Sequence, residues 1–460
     1  MTAKESKQGF WWRPENPETK LVGTALYGPC EGITLELVGS LTPLEEIGRP
    51  PQRFDVWGLT VGGKPITLFR AYQTNTGIHL PGYPTSRIEA SQAVIGGHYR
   101  KPEDVFVHTI EIQFQYLSGW SQTSGITVQH QADNSSNISL KAEEPIVLAD
   151  KNGIKVSAIP SMNMNHHRDG LEIKEWCELR LESGAGTPRP ITEFDPIIHA
   201  FQRFLSLAVG ESASPAEISA KTPDEAARIG DKPFWREISL VRKLSLRDER
   251  RKVEPEEMLF TLRDLQRAQQ SIFGRFLEQE SRLEAVFDLF FPTYFFDLPP
   301  PQELLNMAHA IEAFHRATIG GQYLGDAEYE NGLKQSFLAA VPLQLSEDFR
   351  NSLKRRIDFL HEYSLKKRLK DILRKFDPLV APYVGERDTF IRAVTEARNQ
   401  LVHASRDNPP PDYRKLWRFA QQLGLVLEVA ILSEIGFQQN EVRDIVARGK
   451  RAKLIRSNVF

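Results

Sequence analysis

The chain has 460 residues, of which 40% are hydrophobic and 26% are charged, and its formal net charge is −2. One hydrophobic core seldom grows beyond about 250–300 residues, so we expect more than one domain. The small net charge gives no global attraction to nucleic acid or to a membrane, and any basic surface must be local. The 2 cysteines exclude a scaffold built on disulfides and favour a reduced, cytoplasmic protein.

Targeting and membrane signals are the next features that the sequence excludes. The polar start, Met1–Lys7, is not followed by an apolar run, so it does not resemble a signal peptide. No stretch approaches the roughly 18 uncharged apolar residues of a membrane span. We therefore expect no association with a membrane.

The first half of the chain has the alternation of β-strands. Apolar residues alternate with polar ones within residues 104–120 and again from Cys177 to Leu181, which predicts strands with one buried face. Asn152-Gly153 lies between two short apolar runs and predicts a tight hairpin turn, because both residues tolerate a positive φ. We predict an antiparallel sandwich or barrel for residues 1–255.

The pattern changes near residue 195. Residues 195–209 are expected to form a helix, residues 210–234 an exposed excursion rich in Ser, Ala and Pro, and residues 236–246 a returning strand. From residue 256 to 460 the apolar period is that of helices, with the core of this all-α domain at about 300–440. The predicted helices lie near 256–291, 302–317, 346–375, 384–404 and 412–435. The fold class is therefore α+β with two or more domains.

A candidate catalytic set lies on the fourth of these helices, at Arg398, Asn399 and His403. Phe390, Val394, Ala397 and Leu401 form its apolar stripe, and Arg398 lies at the edge of that stripe. A guanidinium can bind a phosphate with two hydrogen bonds, and an imidazole can take the proton of a ribose 2′-OH at neutral pH. Such a set could cleave RNA without a metal and leave a 2′,3′-cyclic phosphate, and DNA would be spared.

The spacing alone is not specific. Arg356 and His361 have the same separation as Arg398 and His403, so the spacing occurs twice in this chain. An arginine on a helix surface and a histidine at the edge of a core would produce the same pattern.

The segment Arg398-Asn399-x-x-x-His403 resembles the Arg-x4–6-His signature of HEPN ribonucleases, in the form with a polar residue after the arginine. Arg356 is followed by Ile357 and departs from that form. Further segments resemble the ApeA-type branch of HEPN proteins over most of the chain, more weakly at 195–255. These segments are Val22–Leu26, Gly32–Leu37, Gly63–Leu68, Tyr116–Trp120 and Ala310–Arg316.

This resemblance implies an endoribonuclease of bacterial anti-phage defence, of the abortive-infection type, in which Arg398 holds the scissile phosphate, His403 is base and acid, and Asn399 orients one of them. It also implies a homodimer, because HEPN domains commonly pair across one cleft. The alternative is a catalytically inactive HEPN adaptor that binds nucleotides or partners. The expected partners are RNA of host or phage, with tRNA among the candidates, and a phage-derived trigger bound by the N-terminal domain. We expect no cofactor and no metal.

Glu312 and His315 form a polar pair on an otherwise apolar helix. They could support the active site by lining the same cleft as Arg398, or they could satisfy each other at a helix interface.

Residues 350–375 contain ten Lys or Arg against three acids. They could seat the phosphates of RNA or form an ordinary solvated face. The candidate RNA contacts are Lys354, Arg355, Arg356, Lys366, Lys367 and Arg368. For the smaller basic run at 448–456, a frayed terminus is favoured.

Two apparent motifs are interpreted as structural, and a third feature stays open. Gly58–Lys64 nearly matches a P-loop, but Pro65 stands where a Ser or Thr is needed, so a hairpin turn at Gly62-Gly63 is favoured. His166-His167 has no second ligand pair at metal-binding spacing and is expected in a surface loop. Trp11-Trp12 could dock on the sheet or on a partner.

Overall fold

The computed structural model describes residues 5–28, 32–43, 50, 52–77, 81–131, 135–229, 232–243, 251–268, 271–402 and 412–457. The chain divides into two compact units, Met1–Leu277 and Glu278–Phe460, which we call the β-rich unit and the helical unit. The predicted class, a β-rich N-terminal region followed by a helical C-terminal region, is confirmed. Among the described residues, no helix is long and apolar enough to cross a membrane.

Among the described residues, most strands of the β-rich unit belong to one 13-stranded antiparallel sheet. The strands are β1 (Glu5–Arg13), β2 (Asn16–Gly28), β3 (Gly32–Val38), β4 (Phe54–Thr60), β5 (Pro65–Gly77), β6 (Thr85–Ala90), β7 (Gln92–Ile95), β8 (Phe106–Val107), β9 (Thr109–Phe114), β10 (Ile126–His130), β11 (Ser136–Leu140), β12 (Ile146–Lys151), β13 (Ile154–His167), β14 (Gly170–Ser183), β15 (Arg189–Pro190), β16 (Pro215–Ile229) and β17 (Lys232–Arg242).

The first six strands close into an antiparallel barrel in the order β5-β4-β1-β2-β3-β6, because β6 also pairs with β5. Its interior is filled by apolar side chains, among them Trp11, Leu35 and Leu68, which are completely buried. Trp11 therefore belongs to the barrel core, where its Nε1 donates to the Gly23 carbonyl at 3.2 Å. A Cβ at residue 58 would collide with the Trp11 ring, so this strand position requires glycine.

The sheet continues beyond the barrel through β7, β17, β16, β9, β14, β13 and β12. The predicted alternation is observed, since Ile110, Ile112 and Phe114 are buried on β9, while Tyr116 lies beyond the strand in a left-handed conformation (φ 64°). β10 pairs with β11 in a separate two-stranded sheet, and β8 pairs with β15 in another.

Two predicted hairpin turns are confirmed. Asn152 and Gly153 connect β12 to β13 with φ values of 52° and 73°, which is the backbone of the turn type that favours Asn-Gly. At Gly62-Gly63, the Thr60 nitrogen donates to the Lys64 carbonyl at 3.0 Å, so the near-P-loop is the turn between β4 and β5.

The prediction of an exposed excursion at 210–234 is wrong. β16 pairs with both β9 and β17 inside the sheet. Its Ser, Ala and Pro content suggested a loop, but Ile218, Ala220 and Thr222 alternate as buried residues along one face. The pairing with β9 and β17, which the local composition does not encode, makes this segment a strand.

Helix α2 (Asp195–Val209), which was predicted at these bounds, follows the five-residue α1 (Leu117–Ser121). We expected the helical domain to begin at residue 256, but residues 256–277 belong to the β-rich unit. Phe260, Phe273 and Phe276 each lie 5.1–5.3 Å from the Phe204 ring of α2, measured between centroids. This aromatic packing holds the segment on the first unit.

The remaining helices are α3 (Leu262–Arg267), α4 (Ile272–Arg282), α5 (Glu284–Phe290), α6 (Pro292–Phe295), α7 (Pro300–Thr318), α8 (Asp326–Glu328), α9 (Lys334–Ala339), α10 (Glu347–Ile357), α11 (Leu365–Lys375), α12 (Asp377–Val384), α13 (Arg387–Val402), α14 (Tyr413–Glu434), α15 (Gln439–Arg448) and α16 (Lys450–Ser457). In the helical unit α7 packs against α5, α11, α13 and the long α14. The predicted helix at 346–375 is two helices, α10 and α11, and the one at 256–291 is three, α3 to α5.

Candidate active site

Helix α13 carries Arg398 at the edge of its buried face. Phe390, Val394 and Ala397 are buried as the periodicity predicted, whereas Leu401 is half-buried. Arg398 is half-buried beside this stripe and Asn399 is exposed. The guanidinium therefore lies where the apolar interior of the bundle meets solvent.

The charge of Arg398 is not neutralised by a carboxylate within the described residues. Its Nη1 donates to Oδ1 of Asn399 at 3.2 Å, and its buried Nε has no hydrogen-bond partner there. Arg368 and Arg451, which are buried, both have carboxylate partners. Arg350 also has an Nε without a hydrogen-bond partner among the described residues. An unpartnered Nε therefore points to a site at Arg398 only in combination with the Arg398-Asn399-x-x-x-His403 segment. A partly desolvated, unpaired guanidinium favours the binding of an anion.

His403 lies outside the described residues, as do residues 404–411. The described part of helix α13 extends to Val402, the residue before it. The predicted proximity of His403 to Arg398 and Asn399 thus remains a prediction from the sequence.

The second pair with the same spacing has a different structure. Arg356 lies in the last turn of α10, which ends at Ile357, and His361 follows in a turn. His361 stacks on Tyr329 with 4.2 Å between centroids, and its Nε2 lies 3.0 Å from Oδ1 of Asp326. His361 is therefore engaged in local packing and does not share a helix with Arg356.

Glu312 and His315 do not satisfy each other. His315 is completely buried, with Nδ1 2.6 Å from the Gly320 carbonyl oxygen and Nε2 3.2 Å from Oδ2 of Asp371. Glu312 is half-buried and has no hydrogen-bond partner among the described residues. No hydrogen bond or ion pair of the described residues joins either side chain to Arg398, so a role in supporting the active site stays a prediction.

A polar cluster between α7 and α11 surrounds His315. Arg368 is completely buried and donates from Nε to the Tyr363 carbonyl at 3.0 Å and from Nη2 to the Gly321 carbonyl at 3.2 Å. Its Nη2 also lies 3.5 Å from Oε2 of Glu362. We expected Arg368 to contact RNA, but its guanidinium is enclosed by its own chain and cannot reach a phosphate.

Asp371 on α11 links the buried cluster to the basic residue Lys367 of the same helix. Its Oδ1 accepts from Nζ of Lys367 at 2.6 Å, and its Oδ2 faces His315. Burial alone would raise the pKa of Asp371, but the hydrogen bonds from Lys367 and His315 outweigh it and hold that pKa below its usual value. Lys367 is thereby engaged inside the chain and is less available to RNA than expected.

We expect Asp371→Asn to destabilise the helical unit at neutral pH. A lowered carboxyl pKa stabilises the fold above the unfolded value near 4, and this stabilisation is lost as pH falls through the folded pKa. Thermal unfolding between pH 3 and 7 should show a smaller acid-induced loss of stability in Asp371→Asn than in the parent. Glu347→Gln, on the exposed first turn of α10, is the matched control and should leave the profile unchanged. Parallel profiles for the parent and Asp371→Asn would contradict the role of Asp371.

The other candidate RNA contacts are exposed. Lys354, Arg355 and Arg356 occupy the last turn of α10 and Lys366 the first turn of α11, and none of these four has an acidic partner within the described part of the chain. Arg355 and Arg356 border an open groove of about 550 Å³, which is also lined by Asp348 and by Phe359, whose surface is 65% exposed. Exposed arginines beside an exposed aromatic ring are the elements of a surface that binds single-stranded nucleic acid.

Sequence reasoning missed a buried polar network at the centre of the helical unit. Nε of Arg451 donates to Oε1 of Glu428 at 2.8 Å, and its Nη1 donates to Gln421 at 2.8 Å. Tyr294 donates its hydroxyl to the same Glu428 oxygen at 3.0 Å, and Glu303 accepts from Gln421 at 2.8 Å. The expectation of a frayed terminus at 448–456 is therefore wrong, because α16 inserts Arg451 between α6, α7 and α14.

Two family models match the chain in the order of its two units. Residues 305–441 match the model described as Apea-like HEPN, so the helical bundle is a HEPN domain, a fold generally found in nucleases. Residues 6–276 match the model described as ApeA N-terminal domain 1. Because that match alone covers more than half of the sequence, the chain belongs to the ApeA family of anti-phage HEPN proteins. No curated protein and no solved structure matches it.

Proposed function

We propose that this protein is a metal-independent endoribonuclease of bacterial anti-phage defence. The observation that carries the proposal is Arg398, a half-buried guanidinium without a carboxylate partner among the described residues. It lies in a segment that resembles the Arg-x4–6-His signature of HEPN ribonucleases. Anionic phosphate is the ligand that such a site favours. The exposed cations of α10 provide a second, independent source of affinity for RNA.

The proposed reaction needs no redox step. His403 takes the proton from a ribose 2′-OH as the 2′ oxygen attacks the adjacent phosphorus. The bond from phosphorus to the 5′ oxygen breaks, and the leaving oxygen receives a proton from the imidazolium. Arg398 stabilises the negative charge that accumulates on the phosphorane oxygens. Asn399 would hold the Arg398 guanidinium in place, because its Oδ1 accepts a hydrogen bond from Nη1 of Arg398.

The proposal includes a homodimer, because HEPN domains commonly dimerise and bind RNA. Light scattering that shows a fully active monomer would contradict this part.

For the N-terminal domain we propose a role in sensing a phage-derived trigger and restraining the ribonuclease, and selection of the RNA substrate is the alternative. Greater toxicity of residues 278–460 expressed alone would support restraint, whereas a folded, harmless fragment that cleaves no RNA would favour substrate selection.

We expect the purified full-length protein to cleave RNA in excess EDTA and to leave 2′,3′-cyclic phosphate ends, because the 2′-OH is the nucleophile. Mass spectrometry of the fragment termini measures this directly. A DNA of the same sequence and the His403→Ala protein are the controls, and both should give no fragments. A strict requirement for Mg²⁺ would contradict the mechanism, and RNA binding without cleavage under any condition would favour the adaptor.

A further inference from the structure

A pocket of about 350 Å³ lies on the barrel, where β1 ends and β4 begins. Its charged lining consists of Arg13, Arg53 and Arg100 together with Glu15 and Asp55. We call it the arginine pocket. Its volume is at the lower end of the roughly 300–1,000 Å³ that small-molecule sites occupy.

Aromatic rings hold two of the guanidinium groups in place. The central carbon of the Arg13 guanidinium lies 4.1 Å from the centroid of the Phe54 ring, and that of Arg100 lies 5.0 Å from the Trp57 ring. Trp57 is itself fixed, since it stacks on His98 at 4.9 Å and donates its Nε1 to the Tyr99 carbonyl at 3.0 Å. Stacked guanidinium groups lose less conformational freedom when they bind a ligand.

Three guanidinium groups against two carboxylates leave the arginine pocket with a formal charge of +1. Oε1 of Glu15 forms a long ion pair with Nη1 of Arg13 at 4.0 Å, and Oδ1 of Asp55 accepts a hydrogen bond from the backbone nitrogen of Arg70 at 2.8 Å. Arg53 and Arg100 are exposed and have no ion pair within the described residues. Nε of Arg13 is buried and has no hydrogen-bond partner in that same part of the chain.

We propose that the arginine pocket binds a small ligand through a terminal phosphate or diphosphate group. Guanidinium groups match phosphate oxygens with paired, charge-assisted hydrogen bonds, and three of them converge here with one orphaned donor among them. The ligand could be a free nucleotide or the 5′ end of an RNA, because both present the same group. The site lies within the β-rich unit and does not depend on the proposed ribonuclease activity.

The test measures binding to the full-length His403→Ala protein, so that cleavage does not interfere. Isothermal titration with inorganic pyrophosphate should detect binding, and Arg100→Ala should weaken it about tenfold to a hundredfold, the range for a lost charge-assisted hydrogen bond. Arg87→Ala is the matched control, because Arg87 is an exposed arginine of the same barrel outside the pocket, 4.0 Å from Glu89. It should change the affinity less than twofold, and unchanged thermal unfolding of both variants would show that the barrel is intact.

Two further titrations distinguish the sources of the phosphate. ADP that binds more tightly than a 5′-phosphorylated RNA trinucleotide indicates a free nucleotide, and the reverse order indicates an RNA end. No binding of pyrophosphate at millimolar concentration would overturn the proposal. Equal weakening of pyrophosphate binding by Arg87→Ala and Arg100→Ala would also overturn it, because the affinity would then be nonspecific attraction to a basic surface.

Discussion

Replacing His403 or Arg398 with alanine is expected to reduce RNA cleavage by a hundredfold or more while the fold remains intact. A general base contributes about 10²–10⁴ to the rate, and one preorganised donor to a developing anion contributes about 10²–10³. Arg398→Lys should give an intermediate rate, because lysine keeps the charge and loses the paired geometry. Initial rates on a defined single-stranded RNA, with RNA binding measured in parallel, separate loss of chemistry from loss of affinity.

The second Arg–His pair in the chain provides matched controls. His361→Ala should retain most of the activity of the folded protein, because His361 contacts Asp326 and Tyr329 in a local turn. Arg356→Ala should weaken RNA binding and reduce its dependence on salt, since Arg356 is an exposed cation on α10. An inactive His361→Ala protein beside an active His403→Ala protein would show that the chemistry had been assigned to the wrong Arg–His pair.

Local patterns in the sequence were sufficient for much of the β-rich unit. Asn152-Gly153 predicted its turn because a positive φ at two successive positions restricts the residue choice severely. Closure of the barrel was not predictable, because it depends on pairing between β5 and β6 that no local pattern encodes. Strand β16 was missed for the opposite reason, since its local composition resembles a loop while its tertiary pairing makes it a strand.

For the candidate site, the sequence predicted the helix of Arg398 and the buried stripe beside it. It could not predict which basic residues face solvent. Lys366, Lys367 and Arg368 are consecutive, yet the first is exposed, the second pairs with Asp371 and the third is completely buried. Arg368 on α11 is enclosed partly by the Gly321 carbonyl, which lies 47 residues earlier in the chain, and Asp371 also faces His315 of α7. Charge counting along one segment therefore overestimates the surface available to RNA.

Among the substitutions proposed for this protein, replacement of Arg451 is expected to cause the largest loss in the free energy of unfolding. Arg451 is almost completely buried and compensates Glu428, with Glu303 3.8 Å away. Breaking a buried ion pair by removing one partner costs about 3–5 kcal/mol, because the other charge stays buried without compensation. For a unit of this size, that corresponds to a decrease in Tm of roughly 6–20 °C. Gly424 supports this geometry, since a Cβ there would come within 2.6 Å of the guanidinium.

The test compares Arg451→Met with Lys453→Ala, an exposed residue of the same helix α16, by calorimetry of the full-length protein. Lys453→Ala should change stability by less than about 0.5 kcal/mol. Burial raises the pKa of Glu428, and Arg451 opposes that shift. Without Arg451, the pKa of the buried Glu428 carboxyl is raised further, so this carboxyl stays neutral in the folded protein up to a higher pH. The folded state is then not penalised by this group at low pH, and it loses stability as pH rises through the folded pKa. The defect of Arg451→Met should therefore be smaller at pH 5 than at pH 8, and adding Glu428→Gln should restore much of the stability at pH 8. A defect that is independent of pH and unchanged by Glu428→Gln would mean that Arg451 stabilises the bundle by packing rather than by charge.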